Sequence, residues 1–313
     1  MAQQSALEYI RGGQTPFFRL PQVDPMRGEA KGLDAVLLGV TFDAGTTYQP
    51  GARFAPYHLR RLSALVQSWH PTHGIDVFDR VKAGDGGNVG FPPFDPAAMR
   101  EAVQRDVGLV LKSGAAPFVV GGDHSIALPV LRALHAKHGP LAVVHIDAHL
   151  DTSGPEVWGA AHHHGTPFRH AIGEGLIERG ALVQVGIRGP WGRSTDRDLS
   201  GAHDARCFTA GDVDRLGVRA VALDLSERLR GKPVYVSFDV DAVDPAFAPG
   251  TGTPVPGGLT SMQGLQLLRG FSGLRLVGMD LVEVCPALDH ADLTSLLGAH
   301  LLFEGLALLG LNR

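Results

Sequence analysis

Three short stretches of this 313-residue chain end in histidine and aspartate at spacings that suit metal chemistry. In LAVVHIDAHLD, Leu141 to Asp151, the apolar half runs into Asp147, His149 and Asp151, spaced two apart. In SFDVDAVDP the apolar run ends in Asp239 and Asp241, again two apart, and in GGDHS, after the run PFVV, His124 follows paired glycines. Residues two apart in extended chain point to one side, so each strand end would present its ligands together. Carboxylates buried side by side are costly unless a cation neutralises them. Two imidazoles with four carboxylates suit a pair of divalent ions sharing carboxylate bridges better than one structural zinc. The bland alternative, a solvated turn, accounts for one such cluster and poorly for three.

Other residues carry weaker signals. HHHGTPFRH holds His162, His163, His164 and His170; a histidine beside activated water shuttles protons near neutral pH, whereas clustered histidines on a loop are otherwise merely solvated. MDLVEVCP places Glu283 past the end of another apolar run, where a carboxylate grips a cation bidentately or simply ends a strand at the surface. In GIRGPW, Arg188 and Trp191 either line a pocket mouth or Arg188 pairs with an interior or interface carboxylate.

The elements that must position these residues follow from pattern. Runs at 35–40, 117–121, 141–147, 182–187, 234–238 and 275–281 read as buried strands. Helices are expected near 56–67, 96–112, 126–138, 171–179, 260–269 and from about Asp292 onward. Arg60 and Arg61 are expected on a solvated helix face, and 70–96 as loop with one strand around Val77 to Val81. Such alternation argues for a single-domain three-layer α/β/α fold with a mostly parallel sheet, over 34–313, behind an irregular polar arm at 1–33. Open sheets of this kind place ligand sites at the carboxyl ends of their strands. No basic run suggests nucleic acid, and no apolar stretch of about 18 residues suggests a membrane span. The net charge of −4 is too small for strong steering. Cys207 and Cys285 lie in no metal-type spacing, and two buried thiols of a reduced, cytoplasmic protein are expected.

GGDHS, DAHLD and SFDVDAVDPAFAPGTGTPVPGG, in this order and spacing, resemble the ureohydrolase family of arginases and agmatinases. The likeness runs from about Ala35 to the C-terminus, with Pro16 to Pro21 also similar. It leans toward the agmatinase branch, which includes guanidinobutyrases and proclavaminate amidinohydrolase, because HHGTPFRH is present and no acid directly follows Arg188. The resemblance implies an arginase-like fold and two Mn2+ per chain, with Ni2+ or Co2+ also fitting such N/O ligands. It places His124 and Asp151 on one ion, His149 and Asp241 on the other, with Asp147 and Asp239 as bridges. His164 stands at the family's proton shuttle and Glu283 at the carboxylate that holds the guanidinium; His163, Arg188 and Trp191 are further substrate candidates. The chain departs from the family at Gln49, Ala55 and Gly87–Asn88, none of them in the metal set. A homo-oligomer, trimer or hexamer, is implied by likeness alone.

The implied reaction is hydrolysis of a small guanidino compound to urea and an amine, with two ions sharing a water and lowering its pKa toward about 7. Substrate choice is left open, since Arg188 and Arg193 favour an anionic tail and Asp196 the opposite. Two rivals stand beside it: a single-zinc deacetylase of related architecture, which gives His124 and Asp241 no role, and a non-catalytic subunit. A serine hydrolase is disfavoured because no G-x-S-x-G occurs.

Overall fold

Eight strands form one sheet in which every neighbouring pair is parallel: β1 (Ala35–Gly39), β2 (Ala83–Asn88), β3 (Ala116–Val120), β4 (Leu141–Ile146), β5 (Ile177–Ile187), β6 (Arg206–Thr209), β7 (Pro233–Asp239) and β8 (Arg275–Val282). Their spatial order is β2-β1-β3-β8-β7-β4-β5-β6. This is a computed structural model, and it describes residues 15–191 and 195–312. Nine helices among the described residues cover the sheet: α1 (Ala55–Ser63), α2 (Pro96–Ser113), α3 (Ala127–His138), α4 (Pro167–Gly173), α5 (Thr195–Ala202), α6 (Ala210–Leu216), α7 (Val218–Leu229), α8 (Ser261–Arg269) and α9 (Leu293–Leu311), with isolated single turns at Val77–Arg80 and Pro155–Trp158. Val103 of α2, Leu131 of α3 and Phe168 of α4 pack on one face. Leu59 of α1, Leu225 of α7, Leu267 of α8 and Leu301 of α9 pack on the other. The result is the expected three-layer α/β/α fold, and the continuous apolar runs of the central strands reflect burial on both faces.

Local chemistry sets the helix ends. Asp95 accepts hydrogen bonds from Ala97 N and Ala98 N at 2.9 and 3.0 Å, with Pro96 opening α2. Thr260 and Gln263 close a reciprocal capping box at the start of α8. Helix α9 is apolar all round, and its 19 residues reach a mean hydropathy of 1.5, enough by length and composition to cross a bilayer. In the fold, 83% of it is buried in the core, and its Glu304 pairs with His70 at 2.8 Å and with Arg269 at 2.6 Å.

Two regions differ from expectation. The strand expected around Val77 to Val81 is instead a helical turn, because the Asp76 side chain accepts from Phe78 N and Asp79 N. Besides a short antiparallel pair, Trp69–His70 with Ile75–Asp76, the region holds β2, AGDGGN, which has no apolar pattern. Its glycines are there for close approach: a Cβ on Gly84 would lie 2.9 Å from Leu33 Cδ1, and one on Gly86 2.7 Å from Leu38 Cδ2. The span from 188 to 232 received no elements from pattern, yet Val218, Val221, Ala222, Leu225 and Leu229 carry the helical spacing that buries α7.

The N-terminal arm and Arg60 are linked. Residues 1–14 of the arm lie outside the described residues, but Phe17 and Phe18 are fully buried, and Phe17 N donates to Asp85 Oδ2 at 2.9 Å. Arg60 is therefore not on a solvated face. It grips Asp85 through Nε and Nη2 at 2.7 and 2.9 Å, and its guanidinium stacks on Phe17 at 4.3 Å. Arg61, with Asp292 at 2.8 Å, is the surface pair. Arg60→Ala would leave the buried Asp85 carboxylate without its cation, and is expected to cost about 3 kcal/mol of stability in urea denaturation. A loss under about 1 kcal/mol would show that the backbone donors around Asp85 suffice.

Candidate metal centre

The four central strands β3, β8, β7 and β4 are neighbours, and each delivers chemistry at its carboxyl end: His124 beyond β3, Glu283 beyond β8, Asp239 and Asp241 from β7, and Asp147, His149 and Asp151 from β4. Parallel pairing puts all four ends on one rim of the sheet. His124 Nδ1 lies 3.0 Å from Asp147 Oδ2, 3.0 Å from Asp151 Oδ2 and 3.2 Å from Asp239 Oδ2, yet it is aligned for a hydrogen bond with none of them. His149 Nδ1 lies 3.0 Å from Asp241 Oδ2 and 3.4 Å from Asp147 Oδ1. Asp147 thus turns one oxygen toward each histidine, as a carboxylate bridging two centres must. Asp151 holds its place with a left-handed backbone, φ 51°, uncommon for a non-glycine residue.

The electrostatics are those of a cluster that needs positive charge. Burial, and the neighbouring charges of Asp241 and Asp147, push the Asp239 carboxyl well above its ordinary range. Burial also lowers the proton affinity of His124, but Asp147, Asp151 and Asp239 outweigh it and hold that imidazole well above its usual value. The buried His124 Nδ1 without a hydrogen bond, the N/O donor set and the two-sided Asp147 all fit a pair of divalent ions.

Beneath this rim runs a polar row that pattern reading did not single out. Gln184 of β5, His145 of β4, Ser237 of β7 and Asp280 of β8 pair in register across adjacent strands, and all four are fully buried. His124 Nε2 meets Ser237 Oγ at 2.8 Å, and that hydroxyl donates to Asp280 Oδ1 at 2.8 Å. Tyr235 donates to the other oxygen of Asp280. The signal was present in the sequence as single polar residues inside apolar runs, in LVQVGI, LAVVHI, PVYVSF and VGMDLV. Side chains that direct a ligand histidine are part of a metal site's design.

The proposed proton shuttle and substrate carboxylate come together. His164 Nδ1 lies 2.8 Å from Glu283 Oε1, and its Nε2 lies 2.8 Å from the Thr47 hydroxyl. Thr47 belongs to the Gly-rich loop after β1, and sequence gave no reason to choose it. Burial lowers the His164 pKa, but the charge and hydrogen bond of Glu283 prevail and push it up to about 9. Glu283 is buried, its second oxygen has no partner among the described residues, and its φ is 61°. Left-handed residues of this kind concentrate at working sites.

Above these groups opens a cleft of about 250 Å3, lined by Thr47, His149, Asp151, His164 and Asp239, with His163, Trp158 and Trp191 on its walls. His163 accepts from Gly165 N through Nδ1 at 3.1 Å, and burial followed by the charge of His164 lowers its pKa. His162 and His170 stack on each other at 4.3 Å away from the cleft lining. Arg188 is the candidate that the fold removes from the cleft. Its guanidinium donates to the carbonyls of Val255, Gly186, Ala242 and Asp241, so it buttresses the loop after β7 and pairs with no carboxylate among the described residues. Arg193 lies outside the described residues, as does the side chain of Asp196.

Residues 33–307 match the arginase family model. The chain is 45% identical to proclavaminate amidinohydrolase of Streptomyces clavuligerus over 299 residues, 94% of each chain. It is 39% identical to guanidinobutyrase of Pseudomonas aeruginosa, over 95% of this chain and 93% of that one. Among solved structures, that of the Streptomyces clavuligerus proclavaminate amidinohydrolase superposes with a TM-score of 0.89 at 43% identity, covering 96% of this chain and 98% of that one.

Proposed function

The chain belongs to the arginase family, and from that premise we propose that it hydrolyses a small guanidino compound to urea and an amine at two divalent ions, His124, Asp147, Asp151 and Asp239 around one and His149, Asp147, Asp239 and Asp241 around the other. The protein is an amidinohydrolase. What carries the reading is the convergence of two imidazoles on opposite oxygens of Asp147 at the tips of the central strands. Ions held there supply a nucleophile at neutral pH by acidifying water. Manganese is our choice of metal, with nickel and cobalt suited to the same donors.

The side chains have separate tasks. Glu283 presents a buried oxygen without a partner among the described residues, the acceptor that a guanidinium N–H requires. Glu283 does not itself line the cleft; held against His164, which does, it would orient the guanidinium for attack, a gain in proximity. His164, against Glu283 and open to the cleft, carries the proton that the leaving amine needs. With Nδ1 on Glu283, Nε2 is the nitrogen that hands over the proton, exchanging its contact with the Thr47 hydroxyl for one with the leaving amine. Trp158 and Trp191, exposed on the cleft walls, are placed to meet the part of the substrate beyond the guanidino group.

The test is urea release from agmatine, 4-guanidinobutyrate, 3-guanidinopropionate and a cyclic guanidino acid, each with manganese, nickel or cobalt. One substrate is expected to exceed the rest by at least about tenfold in kcat/KM, on protein that elemental analysis shows to hold two ions per chain. No urea from any combination would overturn the proposal. One ion per chain would favour the deacetylase reading, which leaves His124 and Asp241 without a task.

A further inference from the structure

His145 stands close enough to His124, Asp147 and Asp151 to be counted a seventh ligand, but its hydrogen bonds argue otherwise. The side-chain amide of Gln184 lies 2.9 Å from the Leu150 carbonyl, an acceptor only, so the nitrogen of that amide must face it. The same nitrogen lies 3.1 Å from His145 Nδ1. Its second hydrogen therefore points at Nδ1, which must be unprotonated to accept it. The ring proton is then on Nε2, 2.7 Å from Asp147 Oδ2. His145 thus has both nitrogens engaged, while His124 Nδ1 has no hydrogen bond among the described residues. The ring is further pinned against Phe168, with centroids 4.0 Å apart.

We propose that Gln184 and His145 form a fixed-tautomer relay that holds the bridging carboxylate of Asp147 in place, so that His145 is a positioning residue and not a metal ligand. A backbone carbonyl orients Gln184, Gln184 selects the His145 tautomer, and His145 donates to Asp147 Oδ2. That bond satisfies a lone pair of Oδ2 on the side away from His149, which leaves Oδ1 for the second centre. The proposal rests on the two-ion reading above. It extends that reading to residues on β4 and β5 that never meet substrate.

The experiment measures metal affinity of the metal-free protein by competition with a chromophoric chelator, using manganese, on wild type and three variants. His145→Phe keeps the ring contact with Phe168 and loses the donor, and is expected to weaken binding by about 10–100-fold. His145→Gln carries an amide N–H near the position of Nε2, and is expected to stay within about threefold of wild type. Gln184→Met acts one step away and should weaken binding in the same direction by a smaller factor, which keeps the idea testable if His145→Phe fails to fold. Stoichiometry should remain two in each variant. His145→Phe and Gln184→Met binding manganese as tightly as wild type would overturn the relay. So would a drop to one ion in both His145 variants, which would make His145 a ligand. A wild-type protein holding no ion would instead sink the two-ion reading, and the relay with it.

Discussion

Asp239→Ala is expected to cut urea release to about one ten-thousandth of wild type or less, because on the proposed two-ion reading the change removes the carboxylate assigned to both ions and with it the means of acidifying water. Asp239 Oδ2 sits 3.2 Å from His124 Nδ1, and Asp239 Oδ1 accepts from Asp241 N at 2.8 Å, so the residue also shapes the turn that carries Asp241. The stability of the variant separates chemistry from folding. Its carboxyl is pushed above the ordinary range by burial and by two carboxylate neighbours. In metal-free protein such a group favours folding only while protonated, and opposes it increasingly as pH rises past the ordinary carboxylate value. The metal-free variant should therefore melt no lower than metal-free wild type at pH 7, as read by calorimetry with a chelator present. Substantial turnover by the variant would break the assignment, and a large drop in melting temperature would mark Asp239 as structural.

Glu283→Gln carries the next largest effect, a fall of about 10²–10³ in kcat/KM. Glutamine keeps the shape but offers a neutral acceptor to a cationic guanidinium, and charge-assisted hydrogen bonds are roughly twice as strong as neutral ones. A second consequence is specific to this site. Glu283 is the main influence raising His164, against the opposing effect of burial, toward about 9. With the charge gone, the His164 pKa should fall back toward or below that of an ordinary histidine. If protonated His164 is the group that serves the leaving amine, the alkaline limb of the pH–rate profile should move to lower pH in the variant. An unmoved limb together with a normal rate would detach Glu283 from both roles.

The fold was legible where burial leaves a simple trace. Strands covered on both faces must be apolar throughout, so β3, β4, β7 and β8 stood out as runs. Helices with one buried face showed their spacing, as in α2 at Met99, Val103, Val107 and Val110. β2 left no such trace, since its Gly84 and Gly86 are dictated by neighbours distant in sequence, Leu33 and Leu38. Arg60 was misread for a related reason. A helix surface position is solvated only if nothing is laid over it, and here Phe17 and Asp85 cover it from two other segments.

The candidate ligand set was legible in the chain itself. Residue types and spacing picked out Asp147, His149, Asp151, Asp239 and Asp241, but extended strand does not aim them. The strand β4 ends at Ile146, and Asp147 and Asp239 accept from His149 N and Asp241 N in tight turns. Asp241 sits in the 3-10 turn Val240–Ala242, and Asp151 has a left-handed backbone. What the sequence could not contain is which strands become neighbours. The order β3-β8-β7-β4 brings residues more than 150 positions apart, such as His124 and Glu283, into hydrogen-bond contact at 2.9 Å. The same lateral pairing assembled Gln184, His145, Ser237 and Asp280 into one buried row, turned Arg188 toward backbone carbonyls, and set Thr47 against His164. Directions along a strand follow from its own covalent geometry, whereas contacts across a sheet depend on how the whole chain packs.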